Sequence, residues 1–180
     1  MNYASQKHSS LFIRRYITGL LFWLVCTICH ATPSETDLVV WVSEAIVTTY
    51  TFSADNFLDR QKTIAKYFTS QGWIDFTKAI QASKLQESVE KSHYVVSAVP
   101  LLPPTIKFLS ATNEWEAKMP LLVLYKGPDY QQKQTLEVVI TFISAKGNEG
   151  VRGLVLTSFT TTVTKPACRC EHGLKTKVVV

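Results

Sequence analysis

Three residues near the C-terminus have the types and the spacing to hold a metal: Cys168, Cys170 and His172 read Cys-x-Cys-x-His. Thiolate and imidazole are good zinc ligands, but a closed tetrahedral site takes four of them, usually as two separated pairs. Beyond residue 31 the other histidine is His93, so the ligand set is incomplete and no metal or other cofactor is expected. A Cys168–Cys170 disulfide in an oxidising compartment, strained by its one-residue spacer, competes with two thiols of no function. Carboxylates offer equally little. Asp55 and Asp59 lie close together, and Glu114 and Glu116 flank Trp115; solvated faces account for both pairs as well as acid–base chemistry does. His93 opens a strand-like run, where a surface histidine is unremarkable. No Gly-x-Ser-x-Gly elbow, phosphate-cradling glycine loop or His-Glu-x-x-His helix occurs. A non-enzymatic domain is the expectation.

The N-terminus reads as a leader. Lys7, Arg14 and Arg15 precede a twelve-residue apolar run from Ile17 to Ile28, and Cys29-His30-Ala31 follows, ending on a small residue. That order matches a secretory signal peptide, and the run is short of the ~20 residues a membrane-spanning helix needs. Residues 1–31 are therefore expected to be a signal peptide cleaved near Ala31; an uncleaved single anchor in the inner membrane, facing the periplasm, is the alternative. The leader carries three of the nineteen basic residues and none of the fourteen acidic ones, so sixteen against fourteen remain, a net +2. That balance does not support a nucleic-acid-binding surface.

The elements beyond the leader fall into two blocks. Ser34 and Asp37 are spaced as a helix start, and Leu38, Trp41, Val42, Ala45, Ile46 and Thr49 then repeat at helical spacing. A second helix is marked by Phe57, Gln61, Ile64, Tyr67 and Phe68, a third runs from about Gly72 to Gln81, and a short fourth starts at a Ser83/Gln86 capping box. Between the second and third lies Tyr67-Phe68-Thr69-Ser70-Gln71-Gly72-Trp73-Ile74-Asp75-Phe76, with four aromatics in ten residues. Thr69 or Ser70 can cap the next helix, Gly72 is read as relaxing the backbone, and Tyr67, Phe68, Trp73 and Phe76 as rings buried where two helices meet. From His93 onward the residues are β-branched and aromatic in runs split by turn signals: Tyr94–Val99, Thr105–Leu109, Trp115–Lys126 with Pro120 inside, Gln134–Ala145 and Leu154–Thr164. Short turns imply antiparallel hairpins. Helices first and strands after predict an α+β fold in which N-terminal helices pack on one face of a curved, cone-like antiparallel sheet. Residues 32–166 form this domain, and residues 167–180 a flexible Cys-containing tail, either a frayed terminus or an added edge strand.

Several of these residues also carry a family pattern. Trp41 with Ala45, Tyr50-Thr51-Phe52, Tyr67-Phe68-Thr69-x-x-Gly72-Trp73-x-x-Phe76, Trp115-x-x-x-x-Pro120-Leu121-x-Val123-x-Tyr125 and Leu136-Glu137-Val138-Val139-Ile140 occur in one order. In these, the chain from about Trp41 to Phe159 resembles the DotI/IcmL family, inner-membrane components of the type IVB (Dot/Icm) secretion apparatus with TraM as their conjugation counterpart. The resemblance implies an α+β domain similar to the nuclear-transport-factor-like cone and to VirB-type periplasmic scaffold domains. It implies a non-enzymatic role, other secretion-system proteins as partners, homo-oligomers, and one membrane helix before a periplasmic domain. The short apolar segment and the Cys-x-Cys-x-His tail depart from the family pattern, which makes a soluble periplasmic paralogue the alternative to a core subunit. A pocket in the cone, beside His93, Glu114 or Asp55, would instead point to a small-ligand-binding or enzymatic domain.

Overall fold

A computed structural model describes residues 33–147 and 149–171, without the side chains of residue 130 and residues 167–171. The leader lies outside the described residues. Helix α1 spans Glu35–Thr49 and buries the six residues of the predicted stripe. Thr49, the polar member, donates its hydroxyl to Ala45 O at 2.8 Å, which removes the cost of burying it. At the C-terminal end of α1, Arg60 donates from Nε to Thr51 O at 2.8 Å and from a terminal nitrogen to Thr48 O at 3.4 Å. The cation supplies a donor to Thr51 O and a second one to Thr48 O, which also accepts from Thr51 N at 3.3 Å.

Strand β1 (Phe52–Ser53) leads to α2 (Phe57–Ala65), α3 (Ser70–Ala82) and α4 (Leu85–Ser92). Helix α2 is shorter than predicted, because Tyr67 and Phe68 leave it to pair with the sheet. The predicted Ser83/Gln86 box does not form. Lys84 is the N-cap of α4 in a left-handed conformation, and Ser83 Oγ accepts from Leu85 N at 3.3 Å instead. Strands β2 (Val95–Pro100), β3 (Thr105–Leu109), β4 (Glu114–Lys126), β5 (Tyr130–Ser144) and β6 (Leu154–Glu171) complete the elements of the described residues. Among the described residues no helix is long and apolar enough to cross a membrane.

All strand pairs are antiparallel, in the order β1-β2-β4-β5-β6, with β3 also on β4. One edge of β4 is shared: β3 pairs with residues 114–118 and β2 with residues 121–126. Pro120 sits between those stretches, and its carbonyl accepts from Leu101 N at 2.9 Å just past the end of β2. A proline is tolerated mid-strand because its missing N–H falls where the partner strand changes.

Alternation along β4 and β5 builds the core face. Ala117, Met119, Leu121 and Val123 face Leu136, Val138, Ile140 and Phe142 in one buried layer under the helices. Fully burying a side chain such as Ile46, Ile64 or Phe142 contributes about 1.5–3 kcal/mol. Strand β6 does not keep one phase. Thr141 pairs with Ser158 and Phe142 with Leu156, so Thr157 is an extra residue, a β-bulge. Before the bulge Leu154 and Leu156 pair with the inward face of β5; after it Phe159, Thr161 and Val163 do.

Candidate functional site

The Tyr67–Phe76 segment joins the helical layer to the sheet at that bulge. Thr69 N donates to Leu156 O at 2.9 Å and Leu156 N to Tyr67 O at 2.7 Å, a one-residue parallel bridge between the chain entering α3 and strand β6. Thr69 is the N-cap of α3, with Gly72 N donating to its Oγ1 at 3.0 Å, one of the two caps the sequence allowed. Gly72 serves close approach: an added Cβ would lie 2.9 Å from Thr157 O, 3.0 Å from Leu156 O and 3.0 Å from Thr69 Oγ1. The glycine therefore lets α3 sit directly against the bulged backbone, and it does not relax the chain between two aromatic pairs.

The two aromatics before the cap face different clusters. Tyr67 lies 6.1 Å from Trp41 between ring centroids, Trp41 lies 5.1 Å from Phe142, and Phe142 stacks on Trp115 at 5.6 Å. Phe68 packs 5.0 Å from Phe76, 5.7 Å from Trp73 and 6.1 Å from Phe159. Trp41 is buried, and its indole N–H donates to Val151 O at 2.8 Å, fixing α1 to the β5–β6 turn. The Tyr67 hydroxyl donates to Glu44 Oε1 at 2.6 Å, and Glu44 also pairs with Arg152 of that turn. Tyr67, Phe68 and Phe76 are core residues, whereas Trp73 and Trp115 are only half-buried.

The polar candidates do not converge. Asp59 pairs with Lys62 at 2.9 Å on the surface. Glu114 accepts from Thr157 Oγ1 at 2.9 Å, and Glu116 faces Lys107 at 3.1 Å. His93 is the exposed, left-handed C-cap of α4. Cys168 and Cys170 lie within β6, with backbones opposite Lys133 and Gln131. Of the expected tail, residues 167–171 continue strand β6. Their side chains and His172 lie outside the description. Among the described residues no three of His, Cys, Asp and Glu come together as a metal site.

A cleft of about 350 Å³ opens elsewhere, between α3, α4 and the strands β4, β5 and β6. Phe76 and Phe159 form part of its wall, while Tyr50, Tyr125, Gln134 and Thr161 supply polar atoms. Tyr125 donates to Gln134 Oε1 at 3.4 Å, and Tyr50 is hydrogen-bonded to the Thr161 side chain. Burial raises the Tyr50 hydroxyl above its usual range, and burial, then the neighbouring Tyr50, pushes Tyr125 up to about 12. Both stay neutral donors at physiological pH. None of His93, Glu114 and Asp55 lines this cleft, so it is not the pocket expected beside them. The sequence carried one signal for it: Gln134 opens the inward phase of β5, ahead of Leu136, Val138 and Ile140.

Helices laid over a curved antiparallel half-barrel with an open cleft define the nuclear-transport-factor-like α+β class. Residues 18–163 match the DotI/IcmL family model, described as a type-IV b secretion system inner-membrane complex component, and the chain belongs to that family. An IcmL-like type IV secretion system protein from Legionella pneumophila is 47% identical and superposes with a TM-score of 0.72, covering 78% of this chain and 100% of its own. The periplasmic domain of DotI is 24% identical with a TM-score of 0.68, over 74% of this chain and 98% of its own. Agrobacterium tumefaciens VirB8 shares the fold at 9% identity and a TM-score of 0.52, over 76% of this chain and 98% of its own. Comparison with curated proteins gave no match.

Proposed function

We propose that residues 32–166 form a non-enzymatic periplasmic interaction domain of a type IVB secretion apparatus, which docks other components of the assembly, a second copy of the chain included. Family membership supports the setting. The observation that carries the docking role is an apolar patch on the outer face of the sheet and the loop beyond it. Val95, Val99, Leu101 and Leu102 are 52%, 48%, 47% and 64% exposed. Leu122 pairs with Val99 and, alternating with the buried Leu121 and Val123, faces the same way. Scattered exposed apolar residues need no explanation, but Val99, Leu122, Leu101 and Leu102 are neighbours in chain or in register, and such clusters mark interaction surfaces. Among the described residues the β2 edge beside it is open past Val96, because β1 pairs only with Val95 and Val96.

The test is a Val99→Glu/Leu102→Glu double variant expressed in cells that carry the apparatus. Its unfolding free energy should stay within about 1 kcal/mol of the parent, since both positions are exposed, while co-purification of secretion components and self-association fall. Unchanged association would refute this face as the docking surface. Delivery by a signal peptide cleaved near Ala31 is part of the proposal, with an uncleaved inner-membrane anchor as its rival. The mass of the mature N-terminus in membrane and soluble fractions separates the two.

A further inference from the structure

We propose that the cleft between α3, α4 and strands β4–β6 binds a small uncharged amphipathic molecule, an aromatic or short-chain apolar body ending in a hydroxyl or carbonyl. Its size fits: about 350 Å³ lies at the lower end of the range of small-molecule sites. Its chemistry is two-sided. Phe76, Ile80, Leu136 and Phe159 offer apolar wall, and the hydroxyls of Tyr50 and Tyr125 converge with the Gln134 amide. Gln134 Oε1 already accepts from Tyr125, which leaves the amide N–H groups as its remaining donors.

No Asp, Glu, His, Lys or Arg is among the described residues lining the cleft. An ionised ligand would therefore lose its hydration without meeting a counter-charge, and an uncharged one would not. Tyr125 already donates its one proton to Gln134 and can only accept from a ligand, while the Gln134 amide N–H groups donate. Access is open, because Ala79, Ser83 and Ser88 line the cleft and are exposed. A filled core would have placed apolar groups at positions 50, 125 and 134. Here Tyr125 and Gln134, from the adjacent strands β4 and β5, meet Tyr50 from the turn after α1 in one space instead. This site is separate from the outer sheet face, so either proposal can fail without the other.

The test uses calorimetric titration of the full chain with 4-propylphenol, and with 4-propylbenzoate as its charged counterpart. The phenol should bind, and the carboxylate at least tenfold more weakly. Tyr125→Phe should weaken phenol binding several-fold. Ala79→Trp, at an exposed helical position at the mouth, should weaken it at least tenfold, and Ser83→Phe provides a second block should the first variant fold poorly. Absence of phenol binding, equal binding of the carboxylate, or undiminished binding to both blocked variants would overturn the proposal. If the phenol does not bind but Ala79→Trp abolishes association with a secretion component, the cleft receives a protein side chain and the small-molecule reading is likewise wrong.

Discussion

Replacing Gly72 by alanine isolates the contact that joins the helices to the sheet. Helix propensity alone favours the change, since alanine is better than glycine by up to about 1 kcal/mol inside a helix. The structure opposes it. The new methyl would sit 2.9 Å from Thr157 O and 3.0 Å from Leu156 O, both backbone atoms that no rotamer change can move aside. Overpacking of this kind costs about 1–3 kcal/mol. Lifting α3 away would also stretch the 2.9 Å bond from Thr69 N to Leu156 O, which contributes about 1 kcal/mol. The clash should win, with a net loss of roughly 1–2 kcal/mol. At a urea m-value of about 2 kcal/mol/M, the unfolding midpoint falls by roughly 0.5–1 M. Gln81→Ala, at an exposed position of the same helix, should move it by less than half as much. A Gly72→Ala protein as stable as the parent, or more stable, would show that α3 does not depend on this close approach.

Other perturbations separate packing from function. Trp41→Ala should cost about 3–5 kcal/mol in denaturant unfolding, because the ring is 1% exposed and its N–H bond to Val151 O is lost as well; Trp73→Ala, at a half-buried ring, should cost less than half that. Arg60→Met should lower stability by about 1–2 kcal/mol by stripping Thr51 O, just past α1, of its charged donor. Alkaline titration should show Tyr125 ionising near 12 instead of 10.0. The native state holds that proton more tightly than the unfolded chain does, so this group's stabilisation is intact below pH 10.0 and is lost as pH rises to about 12. A Tyr125→Phe protein should fall less steeply over that window.

Much of this was legible in the sequence, for reasons that can be located. The α1 stripe, the Thr69 cap and the strand from Thr105 to Leu109 are local patterns, and the structure has each of them. Gly72 was visible as a special position but not for its reason, because the backbone it approaches lies some eighty residues later in the chain. The bulge at Thr157 was hidden for a similar cause. Leu154 to Thr164 alternates without a break on paper, and only the pairing with Thr141 and Phe142 shows the change of phase. The Ser83 box failed because Lys84 takes a left-handed turn that no capping pattern requires. The cleft was the least readable feature, since Tyr50, Gln134 and Thr161 come together only when the turn after α1 meets β5 and β6.

Site-specific photocrosslinking in cells that carry a type IVB apparatus tests the central claim most directly. A photoreactive residue at Leu102, on the exposed patch, should yield crosslinks to a secretion component or to a second copy of the chain, while one at the exposed Asp59 on α2 should yield far fewer. Only uncrosslinked monomer from Leu102, under conditions in which the apparatus is assembled, would contradict the account.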